Sequence, residues 1–336
     1  MISPDVAAAV TRLRREGVLS ADQTVLFGRV ARGELVSLSP AIQALLYIGV
    51  VALTTGVGVL FKDRLIGFGP ASIATAVGAC SLACLAWAGW ASKPFSRAET
   101  ASPNIAFDSI LVLGALLAAA DLAYVEAQFS PLGAAWAWHL LLVSVFYAAL
   151  AFRFDSRALF SLALTTFAAW RGVAATSVER SLFGFFRDTD AVRFNALVCG
   201  LLFVALGAFL VRSSFKAHFE PVAAHLGFLL VLQSIAWGLW DGGGVFKIVH
   251  GLTLFGVGTS LGWLAWKARR FALFVFGVLA AYLGMIVIAL EIWDELSGLS
   301  GRVRELGAFS LIAASSVGLV ITLFVLHRRF RREAEE

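Results

Sequence analysis

The chain has 336 residues, of which 60% are hydrophobic and 15% charged, and its formal net charge is +5. Soluble domains carry about 25% charged residues, and they do not repeat apolar blocks of about 20 residues, the length of a membrane-spanning helix. A soluble globular fold is therefore excluded. All three cysteines lie inside apolar blocks, so neither a disulfide framework nor a zinc site is expected.

Residues 1–40 precede the first apolar block and are predicted to form a short cytoplasmic helical hairpin. A Ser-Pro-Asp start at residues 3–5 and a stop at Gly17 delimit its first helix, and Ser20 with Gln23 has capping-box spacing. This segment contains five arginines and four acidic residues, so it has no strongly basic face and no nucleic-acid binding is expected. Docking of a protein partner is the simpler role.

Ten apolar blocks follow, each close to the length that crosses a bilayer as a helix. The ten tryptophans lie near the block ends, where indole rings favour the membrane–water interface. The sequence therefore predicts an all-α, polytopic transmembrane helical bundle of about ten spans over residues 41–327. The predicted spans cover residues 41–61, 70–92, 105–127, 132–152, 158–176, 191–211, 219–240, 244–266, 271–291 and 307–327.

The basic residues predict the orientation. With ten spans both termini share one side, and that side holds 18 of the 27 lysines and arginines. Because positive residues stay inside, both termini are predicted to be cytoplasmic, including a basic-acidic tail at 328–336, in a bacterial inner membrane. The basic face suits anionic lipid headgroups.

Short segments with similar sequences recur along the chain and indicate an internal repeat. "RALF" at 157–160 is echoed by "RFALF" at 270–274, and "FLVRSSF" is echoed by "FVLHRRF". They predict a parallel repeat that relates residues 105–215 to 219–330, an arrangement found in transporters.

The first half also contains family-like features. "REGVLSADQTVLF", "YIGVVALTTGVGVLFKDRL" and "DSILVLGALLAAADLAYVEAQF" followed by "AWAWHLLL" occur in that order within residues 10–170. In this the chain resembles a bacterial family of predicted membrane proteins, domain of unknown function 2157. The resemblance implies a multi-pass membrane protein. It supplies no established activity, so no functional residue is carried over.

Two carboxylates near the end of the third span need an explanation. Asp121, Tyr124 and Gln128 share one helix face, whereas Glu126 lies about 140° away from Asp121. Glu126 is close enough to the span end to reach the interface. Asp121 is deeper, where a carboxylate should face protein or water and have a partner. We predict a hydrogen-bonded layer that joins Asp121 and Tyr124 to at least one of His139, His250 or Arg171.

Other ionisable residues fall at the same predicted depth, the outer third of their spans. Two interpretations are open: an outward-facing polar cavity that receives a ligand, or interfacial residues and structural hydrogen bonds between helices. The candidate site residues are Asp121, Tyr124, Gln128, His139, Arg171, Lys247, His250 and Glu291.

No motif predicts catalysis, a metal or a cofactor. "GTSLG" at 258–262 matches the serine-hydrolase pattern, but that motif works at a strand-to-helix turn. Inside an apolar helix, Gly258 and Gly262 instead predict a close-packing face.

The sequence thus favours a non-enzymatic integral membrane protein with a sensory, scaffolding or envelope-related role. The alternative is a transporter of a small solute or lipid that uses the outer polar cavity. A transporter should contain a helix unwound near the midplane, and the Gly-rich spans 41–61 and 244–266 are the candidates.

Overall fold

The computed structural model describes residues 69–100, 102, 105–182, 188–241, 244–296 and 301–335, together with the single residues 14, 20 and 49. The predicted hairpin at 1–40 and the predicted first span at 41–61 lie outside these ranges. The described ranges are helical and contain no strand, which agrees with the predicted all-α class.

Nine α-helices make up the described part of the chain. They are α1 (Pro70–Ala91), α2 (Ile105–Phe129), α3 (Trp138–Phe154), α4 (Arg157–Leu182), α5 (Asp188–Arg212), α6 (Glu220–Asp241), α7 (Val245–Lys267), α8 (Phe271–Leu296) and α9 (Gly301–Glu335). Seven of them are long and apolar enough to cross a membrane; α3 is shorter, and α4 is not among the seven. These helices agree with a membrane bundle, whereas ten spans stay a prediction.

The start of α3 differs from the prediction. The span was expected from residue 132, but the helix begins at Trp138. Ser130 has a left-handed φ of 46°, and residues Gly133–Ala135 form a 3₁₀ turn. Pro131 and Gly133 are turn-forming residues, so this apolar segment bends before α3 begins.

Consecutive helices pack as hairpins, and glycines permit the closest contact, between α7 and α8. A Cβ placed on Gly258 would lie 2.5 Å from the amide nitrogen of Ala281, and one on Gly277 would lie 2.5 Å from that of Gly262. The predicted close packing is confirmed at Gly258, whereas a Cβ on Gly262 would meet nothing within 4 Å and only the backbone of Gly262 is approached by Gly277. Helix α7 is continuous from Val245 to Lys267 and is not unwound.

The hairpins give the bundle two polar ends with an apolar core between them. Helices α2, α4, α6 and α8 finish, and α3, α5, α7 and α9 begin, at what we call the Glu126 end. The opposite end, which holds the α3–α4, α5–α6 and α7–α8 turns, is the Asp155 end. In the core near the Asp155 end, Phe160 stacks on Phe219 with ring centroids 4.6 Å apart.

The α3–α4 and α7–α8 turns have matching backbones. Asp155 and Arg269 both have left-handed φ angles, 61° and 56°, and they lie 114 residues apart. In each turn the next residue donates its N–H to the carbonyl five residues earlier, over 3.3 and 2.9 Å. The predicted repeat of 105–215 on 219–330 has the same offset. The α5–α6 turn has the same geometry, with a φ of 51° at Ser214 and a 3.1 Å bond from the Phe215 N–H to the Leu210 carbonyl. Such helix ends are common, so the match does not test the repeat, which stays a prediction.

Candidate functional site

Asp121 lies on α2 and faces Gly78 of α1. A Cβ added to Gly78 would lie 3.0 Å from the Asp121 Oδ2 atom, so a side chain at this position would press on the carboxylate. The Oδ1 atom is buried and has no hydrogen-bond partner among the residues that the structure describes. The two histidines predicted as partners of Asp121 bind other residues, His139 to Glu126 and His250 to Arg193.

Glu126 organises the α2–α3 turn. Its Oε1 accepts the N–H of Gly133 at 2.9 Å, and its Oε2 accepts the N–H of Leu132 at 3.2 Å. His139 Nε2 lies 2.7 Å from the same Oε2, and both side chains are mostly buried. Glu126 is therefore bound within the turn at the end of α2, and its position at the membrane interface stays a prediction. The layer was predicted around Asp121, but His139 pairs with Glu126.

His250 belongs to a second cluster, between α5, α6 and α7. Its Nε2 lies 3.0 Å from Nη2 of Arg193, whose Nη1 lies 3.2 Å from Asp190. His250 Nδ1 lies 2.8 Å from the Phe246 carbonyl, so Nδ1 donates to that oxygen and Nε2 accepts from Arg193. A Cβ on Gly238 would collide with both the imidazole and the guanidinium, so this glycine makes room for the pair.

The third cluster joins α7 to α8. Lys247 Nζ lies 2.8 Å from Glu291 Oε1, and both side chains are partly exposed. These two predicted residues line a cavity of about 540 Å³, together with Asp294, Glu305 and Trp293. The remaining wall is aliphatic and comes from α6, α8 and α9 (Leu239, Leu283, Val287, Leu290 and Ala308).

Three of the predicted site residues lie outside these clusters: Asp121, Gln128 and Arg171. Tyr124 is half-buried on α2, and Gln128 is exposed near the end of that helix. The Arg171 guanidinium lies 5.9 Å from the centroid of the neighbouring Trp170 ring. The predicted single layer is therefore three separate clusters, and only Lys247 and Glu291 line the cavity. Among the described residues, no group of three or more potential ligands could hold a metal ion.

The most deeply buried ionic cluster lies at the other end of the bundle, and sequence reasoning missed it. Lys216 Nζ lies 2.6 Å from Asp155 Oδ1, and the lysine side chain is fully buried. His218 Nε2 lies 3.2 Å from the same oxygen but makes no hydrogen bond, because the geometry is unsuitable. The cluster ties the α5–α6 turn to the α3–α4 turn.

A loop of residues 92–100 covers this cluster. The Lys216 Nζ atom lies 4.8 Å from the centroid of the Phe95 ring, and its backbone N–H donates to the Arg97 carbonyl over 2.8 Å. The sequence signal was the aromatic flanks: Asp155 follows "FRF", and Lys216 stands between Phe215 and "AHF". Phenylalanine rings on both sides of a charged residue can cover it, and the ion pair then offsets the cost of burying the charge.

Comparison of the chain with known protein families, curated proteins and solved structures finds no match. The resemblance to domain of unknown function 2157 therefore stays a prediction.

Proposed function

We propose that the chain is a non-enzymatic, multi-pass membrane protein that binds a small solute at its Glu126 end, in a sensory role. The cavity beside Lys247 and Glu291 carries this proposal. Its volume of about 540 Å³ lies within the ~300–1,000 Å³ of ligand pockets. Its lining also fits, since such pockets are mostly apolar with a few polar groups that orient the ligand.

Binding without translocation is favoured by the helix beside the cavity. Transporters place their sites at unwound helices near the midplane, whereas α7 is continuous and its Gly258 packs on α8. The cavity instead lies at one end of the bundle. The other Gly-rich span, 41–61, is outside the described residues.

Purified protein in nanodiscs and in liposomes tests this proposal with three probes: phenyltrimethylammonium, tert-butylbenzene and benzenesulfonate. Ala308→Trp places an indole in the cavity wall, and Ala127→Trp places one on an exposed α2 position as the matched control. We expect saturable binding of at least one probe to the parent and the control, its loss in Ala308→Trp, and no uptake into liposomes. Absence of saturable binding, or unchanged binding in Ala308→Trp, would overturn the proposal.

A transporter of a small solute is the second candidate, and Asp121 favours it. A carboxylate oxygen buried in a span without a donor among the described residues resembles the groups that line ion pathways. This function requires uptake into liposomes that Asp121→Asn abolishes. Uptake that persists in Asp121→Asn, or no uptake at all, would contradict it.

A further inference from the structure

One polar side chain is exposed in the middle of a span. Gln233 belongs to α6, and the segment Ala217–Leu239 is long and apolar enough to cross a membrane. At 1.5 Å per residue Gln233 lies about 12 Å inside the Asp241 end of the helix, and the hydrocarbon is about 30 Å thick. Its side chain makes no hydrogen bond to any residue in the described ranges. Hydrocarbon offers an amide no hydrogen bond in place of water, so this amide needs a partner.

We propose that a second copy of the chain is this partner, in a two-fold dimer in which the two Gln233 side chains bond to each other. A glutamine amide carries an acceptor oxygen and an NH₂ group with two donors. Two such amides that face each other each donate an N–H to the oxygen of the other. A lipid ester only accepts hydrogen bonds, so it would leave the glutamine oxygen without a donor. Polar side chains of this kind hold membrane helices together.

The membrane determines how two copies meet. Copies inserted in the same direction are related by an axis along the membrane normal, so their α6 helices run parallel. Each residue then lies at the same depth as its equivalent in the other protomer. Gln233 therefore meets its equivalent without any shift in register. Such a dimer forms whether or not a solute binds at the Glu126 end.

The surface around Gln233 has the shape that this interface needs. Leu229 and Trp237 lie one turn before and one turn after it on the same ridge of α6, and they are 47% and 45% exposed. Beside this ridge α6, α7 and α8 border a cavity of about 250 Å³, whose described lining is apolar except for Gln233. A ridge next to a groove is self-complementary, because the ridge of each protomer can enter the groove of the other.

Single-molecule photobleaching of labelled protein in liposomes, over a range of protein-to-lipid ratios, measures the dissociation constant of the dimer. Gln233→Leu removes the amide and keeps a side chain of similar size. We expect it to raise the dissociation constant about tenfold. Gln128→Leu is the matched control, because Gln128 is exposed near the end of α2, and it should leave the constant unchanged.

Disulfide cross-linking locates the contact while the glutamine is kept. In a chain whose three native cysteines are replaced by alanine, Leu229→Cys and Trp237→Cys should form intermolecular disulfides on oxidation with copper phenanthroline. Leu202→Cys is the control, since Leu202 is 52% exposed on α5. It lies about 200° around that helix from Gly200, which contacts α6, and it should not cross-link.

A parent protein that stays monomeric at every protein-to-lipid ratio would overturn the proposal, because a lipid or another segment of this chain then covers Gln233. An unchanged dissociation constant in Gln233→Leu would also overturn it, since the amide then lies outside the contact. Disulfides that form equally well in Leu202→Cys would have the same consequence.

Discussion

The α3–α4 turn and the α7–α8 turn each form an ion pair with one segment, the α5–α6 joint at residues 213–220. The α3–α4 turn contributes an anion to its pair, whereas the α7–α8 turn contributes a cation. On one side the joint supplies the cation, Lys216, to Asp155; on the other it supplies the anion, Glu220, to Arg270. The turn backbones match, yet Lys216 is fully buried and the Arg270 side chain is 42% exposed. Similar backbones can therefore carry ion pairs of very different energetic weight.

Solvation causes the difference. The loop at 92–100 places Phe95 over Lys216 and removes that pair from water. Removing one partner of a buried pair leaves an uncompensated charge and costs about 3–5 kcal/mol. An exposed pair contributes about 0–1 kcal/mol, because water already solvates both ions.

The largest expected effect is that of Lys216→Met. It keeps the length of the side chain but leaves the Asp155 carboxylate without its ammonium, so the free energy of unfolding should fall by about 3–5 kcal/mol. Denaturant unfolding in mixed micelles measures it. Lys267→Met removes an exposed lysine that lies 4.1 Å from the Trp263 ring centroid and serves as the control. Equal losses in the two variants would remove the distinction between buried and exposed cations.

Adding Asp155→Asn to Lys216→Met should restore about 2 kcal/mol, because the stranded charge is then gone. Asparagine also tolerates the left-handed backbone of this position. The same unfolding measurement gives the coupling energy of the two sites. Additive losses would mean that Lys216 acts through packing alone.

A glycine at the two equivalent turn positions should produce effects of opposite sign. Arg269 is exposed, so the interaction that it makes contributes little. Arg269→Gly relieves a left-handed backbone, which should raise the free energy of unfolding by up to about 1 kcal/mol. Asp155→Gly relieves the left-handed backbone in the same way, but it leaves the buried Lys216 without its carboxylate, so the free energy of unfolding should fall. Thermal unfolding of both variants measures whether the Tm rises in Arg269→Gly and falls in Asp155→Gly. Stabilisation by Asp155→Gly would show that its ion pair contributes little.

Arg270→Gln should have the smallest effect, about 0.5 kcal/mol, because its pair with Glu220 is partly exposed. High salt should remove even that difference by screening the pair. Unfolding at low and high ionic strength checks this, and a loss above 2 kcal/mol would place Arg270 in the same class as Lys216.

Helix positions were predictable where apolar blocks end at polar residues. Spans 70–92, 219–240 and 244–266 match α1, α6 and α7 to within one residue, since charge and glycine stop these blocks. The start of α3 was not predictable, because Gly133 and its apolar neighbours form a turn that continues the apolar block of α3. Hydrophobicity reports membrane affinity, and it does not separate a helix from an apolar turn.

The end of the bundle at which the site residues lie could also be predicted from the sequence, but their partners could not. His139 and Glu291 lie at one end of the bundle, as span alternation requires. Which carboxylate meets which cation depends on the rotation and tilt of neighbouring helices, so His139 pairs with Glu126 and Asp121 does not. The buried Lys216 was missed because short polar loops are usually solvated.

The reversed charges at the α5–α6 joint also bear on how the hairpins find their places during assembly. Two turns with the same backbone geometry could each fit either side of the joint by shape alone. In the exchanged arrangement Asp155 would face Glu220, and Arg270 would face Lys216, so like charges would oppose each other on both sides. The charge on each side of the joint thus favours its own hairpin over the other one, even where the two turn backbones are alike.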